Sequence, residues 1–92
     1  MSKETILMKS EEKVSRSDAA TFLRQLADKL DSGTVTLKQG SEELLLEIPA
    51  QITLEVKAED EPKRKGTQRS LEIEFEWMLG ADPNAPSGIE LG

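Results

Sequence analysis

From Leu71 to Trp77, apolar and acidic residues alternate at every position, with Leu71, Ile73, Phe75 and Trp77 on one parity and Glu72, Glu74 and Glu76 on the other. A period of two is that of a half-buried β-strand, one face on a core and the other in water. Three further stretches repeat the pattern: Val35 with Leu37; Leu44, Leu46 and Ile48; and Ile52, Leu54 and Val56. One stretch changes period. Between about Arg16 and Asp31, Ala19, Phe22, Leu23, Leu26, Ala27 and Leu30 recur every three or four residues and so line one face of a helix, with Arg24, Gln25, Asp28 and Lys29 on the wet side. Ser15 is placed to cap this helix, with Asp18 three residues on and Val14 before the cap to pack, and Gly33 is placed to end it in the left-handed conformation.

Turn chemistry sets the register between strands. A two-residue turn at Gly40-Ser41 places Leu37 opposite Leu44 and Val35 opposite Leu46, so inward positions meet inward positions. Pro49-Ala50-Gln51 fits a three-residue reversal that sets Ile48 against Ile52. The next connection, Glu59 to Gln68, is polar throughout and reads as a long loop with a mobile tip. Thr5 to Lys9 reads as a short first strand, laid either parallel to the Val35 strand or at the far edge antiparallel to the Trp77 strand, the far edge being favoured because the helix is long enough to cross the sheet. After Leu79 the periodicity ends and Pro, Gly and Asn accumulate, the composition of a disordered tail over 80–92. These elements predict a single α+β domain over residues 1–79, with one amphipathic helix packed on one face of a four- to five-stranded, mainly antiparallel sheet.

Length and charge narrow the function classes. The chain has 92 residues, enough for one thin core, and a formal net charge of -6, which disfavours nucleic acid and anionic membranes as partners. Cysteine and histidine are both absent. Thiol nucleophiles, thiolate metal sites and the usual neutral-pH general base are thereby excluded. No apolar run is long enough for a signal peptide or a membrane span, so a soluble, cytoplasmic protein is expected.

The residues Val14 to Ala20 and Leu23 with Leu26 to Leu30 along the helix, then Gly33 to Leu37, Leu44 to Pro49, Ile52 to Val56 and Leu71 to Trp77, follow one another in a recognisable order. In that order and spacing the chain resembles the amphi-Trp domain, a small bacterial and archaeal domain, over about positions 5 to 78. The resemblance implies a common fold. It brings no assigned activity, cofactor or catalytic residue, and a shared fold by itself assigns no function.

Outward parity collects Lys38, Glu43, Glu47, Glu55, Lys57, Glu59, Glu72, Glu74 and Glu76 on one face of the expected sheet. The default reading is a solvated face that keeps the domain soluble. The functional readings are a protein-interaction face formed by Glu43, Glu47, Glu55, Lys57, Glu72, Glu74 and Glu76, or a site for a divalent cation or cationic ligand, since hard cations take oxygen ligands. Successive outward residues on a strand are roughly 7 Å apart, so Glu72, Glu74 and Glu76 are too spread to share an ion, and ligands must come from neighbouring strands. Lys63, Arg64, Lys65 and Arg69 form a candidate basic loop whose acidic neighbours Glu59, Asp60 and Glu61 cancel much of its field. Trp77 reads as core. No catalytic or cofactor-binding residue is expected. The reading is therefore a non-enzymatic interaction module for an unknown protein partner, and the net charge predicts a monomer.

Overall fold

The helix begins and ends where its capping residues place it. The computed structural model describes residues 3–80, and in it α1 spans Arg16–Ser32. The Asp18 amide donates to Ser15 Oγ at 2.9 Å, and the Gly33 amide donates to the Leu30 carbonyl at 3.0 Å. Gly33 stands at φ +85°, a conformation that costs any side-chain-bearing residue about 1–2 kcal/mol. The chain then turns directly into β1, Thr34–Gln39, which pairs antiparallel with β2, Glu42–Glu47. Leu37 faces Leu44 and Val35 faces Leu46, as the Gly40-Ser41 turn requires, and Gly40 adopts φ +59°.

The described residues form two compact units, one within Met1–Ala50 and the other within Gln51–Gly92. In the first, α1 contacts β1, and Val35 is the buried residue at that junction, 5% exposed. Leu26, Leu30, Leu37, Leu44, Leu46 and Ile48 are half-buried. Phe22, Leu23 and Ala27, expected on the same helix face, are exposed, so the stripe buried by α1 is narrower than the periodicity predicts. Val14, before the cap, is exposed as well.

The second unit is a β-hairpin of two 11-residue strands, β3 over Thr53–Lys63 and β4 over Gly66–Glu76. Its ladder runs unbroken from Thr53 opposite Glu76 to Lys63 opposite Gly66. Here the expectation of a long mobile loop is corrected, because the strands continue through Glu59 to Lys63 and Gly66 to Gln68, and only Arg64 and Lys65 turn. Cross-strand pairing explains the difference: Asp60 stands opposite Arg69, and the hairpin's backbone bonds do not require apolar side chains. Pro62 is accommodated because a two-stranded ribbon leaves each strand an outer edge where no N–H is needed.

Two further expectations change. The sheet of four to five strands is replaced by two two-stranded antiparallel sheets, β1-β2 and β3-β4, and residues 48–52 carry no ladder from one to the other. Thr5 to Lys9 forms no strand; the Lys9 carbonyl instead accepts from Gln39 Nε2 at 3.0 Å. One side-chain bond replaces the expected run of backbone pairs. The fold class remains α+β with antiparallel pairing. Most of the tail expected over 80–92 lies outside the described residues.

Candidate interaction faces of the hairpin

Strand alternation and the unbroken register give the hairpin two unlike faces. One carries Glu55, Lys57, Glu59, Glu61 and Lys63 from β3 beside Glu76, Glu74 and Glu72 from β4. The other stacks three apolar cross-strand pairs, Leu54 with Phe75, Val56 with Ile73, and Ala58 with Leu71, followed by the pair of Asp60 with Arg69 and, next to the turn, Pro62 with Thr67.

On the acidic face, Lys57 is the organising cation. Its Nζ lies 3.2 Å from Glu72 Oε2 and 3.3 Å from Glu59 Oε2, and the bond to Glu72, followed by that to Glu59, holds the ammonium above the ordinary lysine range. Toward the strand ends no lysine intervenes. Carboxylate oxygens of Glu55, Glu74 and Glu76 come within 4.8 Å of one another, all exposed. The charge of Glu74 is the main reason that the Glu76 carboxyl titrates above the ordinary glutamate range, with partial desolvation and Glu55 adding to it. Glu74 and Glu76 share a strand at a Cα spacing of roughly 7 Å, and their long side chains close that gap toward Glu55 across the ladder. Glu72 stays outside this cluster because it pairs with Lys57.

Glu43 and Glu47, expected on the same face, belong to β2 in the first unit, and Glu43 lies 3.7 Å from Lys38 Nζ there. A shallow polar cleft of about 590 Å³ in that unit is lined by Lys29, Ser32, Thr34, Thr36, Lys38 and Glu43. Among the expected site residues only Glu43 reaches it.

Two of the four residues of the basic cluster, Lys63 and Arg69, are paired with acidic neighbours. Arg69 grips Asp60 with two bonds, Nε to Oδ1 at 2.7 Å and Nη2 to Oδ2 at 3.0 Å. That fork holds the Asp60 carboxyl below its ordinary range and raises the guanidinium. Lys63 Nζ lies 2.8 Å from Glu61 Oε1, while Arg64 and Lys65 form the turn.

The apolar face is where the structure departs furthest from the sequence reading. Periodicity places Leu54, Val56, Leu71 and Ile73 against a core, yet their exposures are 58%, 60%, 70% and 48%, while Phe75 and Trp77 are half-buried. Alternation reports which residues share a face and carries no signal for what covers that face. Among the described residues, no helix is long and apolar enough to cross a membrane.

No curated protein and no solved structure matches the chain. The family model of the Amphi-Trp domain matches residues 1–91, and the chain therefore belongs to the Amphi-Trp domain family.

Proposed function

We propose that this chain is a cytoplasmic, non-enzymatic protein-interaction module whose contact surface is the apolar face of the β3-β4 hairpin. The observation that carries this reading is the exposure of Leu54, Val56, Leu71 and Ile73 in one contiguous block on an otherwise well-registered ribbon. Isolated two-stranded hairpins are marginal in water, and contiguous apolar patches on soluble proteins usually mark contact sites. The acidic face then serves solubility, directing Glu55, Glu72, Glu74 and Glu76 away from the contact. The chain also lacks cysteine and histidine, and with them the thiol nucleophile and the commonest general base near neutral pH. Paired cations at Lys63 and Arg69 support a partner other than nucleic acid.

Position-dependent photocrosslinking in the source cell tests this reading. A photoreactive phenylalanine analogue at position 56 or 73 is expected to give protein adducts, and the same analogue at position 55 or 74 is not. Adducts from the acidic positions alone would reverse the assignment of faces.

A second reading, a weak site for a divalent cation, is favoured by the convergence of Glu55, Glu74 and Glu76 within 4.8 Å. Three exposed carboxylates compete with water for every ligand position, so binding in the millimolar range is expected. Titration with calcium should move the amide resonances of residues 55, 74 and 76 saturably, and Glu74→Gln should abolish the shift. Unmoved resonances at millimolar calcium would dispose of this reading.

A further inference from the structure

We infer that the occupant of the hairpin's apolar face is a second copy of the same chain, docked face to face about a twofold axis. The inference rests on the proposed contact surface and names its partner. A twofold contact brings the same patch together from both sides, so the patch must be self-complementary in shape and charge. This face meets the charge condition. Its positions Leu54, Val56, Ala58, Leu71, Ile73 and Phe75 are uncharged, and its two charges, Asp60 and Arg69, are one of each sign and joined by a double hydrogen bond. The face is thus neutral on a chain whose net charge is -6.

The repulsion that predicts a monomer from net charge is weak in this geometry. Stacked sheets lie about 10 Å apart, and carboxylates on their outer faces are roughly 20 Å apart, more than two Debye lengths at physiological ionic strength. Glu55, Glu59, Glu72, Glu74 and Glu76 all lie on that outer side. The apolar gain is not screened by salt at all.

Area sets the size class of such a contact. At the exposures above, Leu54, Val56, Leu71 and Ile73 offer on the order of 450 Å² per copy, and with the remaining parts of Ala58, Phe75 and Trp77 a pair removes about 1,000–1,200 Å² from water. That is the lower limit for a specific contact and the size class of weak, exchanging pairs. Such a dimer also gives a two-stranded ribbon, marginal by itself in water, a second layer.

Sedimentation velocity of the full chain over a hundredfold concentration range is the primary test. The expected result is a reversible monomer-dimer equilibrium with a micromolar dissociation constant, unchanged or tightened by a tenfold rise in salt. Ile73→Lys should weaken it at least tenfold, and Glu74→Gln on the opposite face should leave it within twofold. Because Ile73→Lys can also loosen the hairpin, a second measurement uses the unaltered chain. The methyl groups of Leu54, Val56, Leu71 and Ile73 should be relaxed by a soluble paramagnetic agent at low protein concentration and become protected at high concentration. A monomer at all concentrations whose methyls stay accessible would overturn the self-pairing and leave the face open for another protein. Methyls protected at every concentration in a monomer would overturn both the self-pairing and the proposed contact surface. A dimer that survives Ile73→Lys and leaves the methyls accessible would overturn this interface in favour of another.

Discussion

Replacing Val35 with alanine removes two methyl groups from the side chain that α1 and the β1-β2 sheet bury, 5% exposed at their junction. Each buried methylene equivalent contributes ~0.8 kcal/mol, so the transfer loss is ~1.6 kcal/mol. A rigid cavity would add to that. Leu26, Leu30, Leu37 and Leu46 are only half-buried and can close in, which keeps the added cost small and the total near ~2 kcal/mol. For a domain of this size, that lowers the melting temperature by roughly 10 °C. Leu45→Ala deletes more carbon, but Leu45 is 58% exposed on the opposite face of the sheet from Val35, and its loss should be below ~1 kcal/mol. Urea titration followed by far-UV circular dichroism reads α1 directly in both variants. Equal losses at the two positions, or a loss below ~0.5 kcal/mol at Val35, would refute the placement of the core at this junction.

Three further outcomes follow from local geometry. Gly33→Ala forces a Cβ into the left-handed conformation at φ +85°, where its nearest neighbour, the Ile48 carbonyl oxygen at 3.8 Å, is at ordinary contact distance and the backbone cost remains, so about 1–2 kcal/mol of stability should be lost in the same titration. In carboxyl-detected titrations, Glu76 should lose its proton above the ordinary glutamate range, and Glu74→Gln should bring it down. A raised acid pKa means that ionised Glu76 opposes folding, so this group's penalty sets in as pH rises from the unfolded glutamate pKa through the folded one and is absent below both. Asp60 has the opposite sign: the fork from Arg69 stabilises the folded state above the unfolded aspartate pKa, that support is lost as pH falls through the lowered value, and Arg69→Gln should abolish the shift.

Elements whose chemistry is local were legible in the sequence. Ser15 and Gly33 mark the ends of α1 because capping involves residues three positions apart, and Gly40-Ser41 fixes β1 against β2 because a two-residue turn leaves one register. The same arithmetic extends to β3 and β4. Counting outward from Arg64-Lys65 places Asp60 opposite Arg69, an opposite-charge signal within a segment whose polarity otherwise reads as loop. What alternation does not contain is the identity of the second layer. Leu54 and Ile73 have the spacing of core residues in either case, and their exposure is a property of the folded chain that spacing does not carry. The clustering of Glu55 with Glu74 and Glu76 was half visible, since cross-strand ligation follows from strand spacing while the reach of Glu76 along its own strand depends on side-chain conformation.

The most direct measurement of the central claim, that the apolar face of the hairpin is a contact surface used between copies, is an isotope-filtered NOE spectrum of labelled chains mixed with unlabelled ones at high concentration. The predicted result is intermolecular cross-peaks confined to the methyls of Leu54, Val56, Leu71 and Ile73 and the ring protons of Phe75 and Trp77. A spectrum with no intermolecular cross-peaks at these groups, recorded on a folded sample, would contradict it.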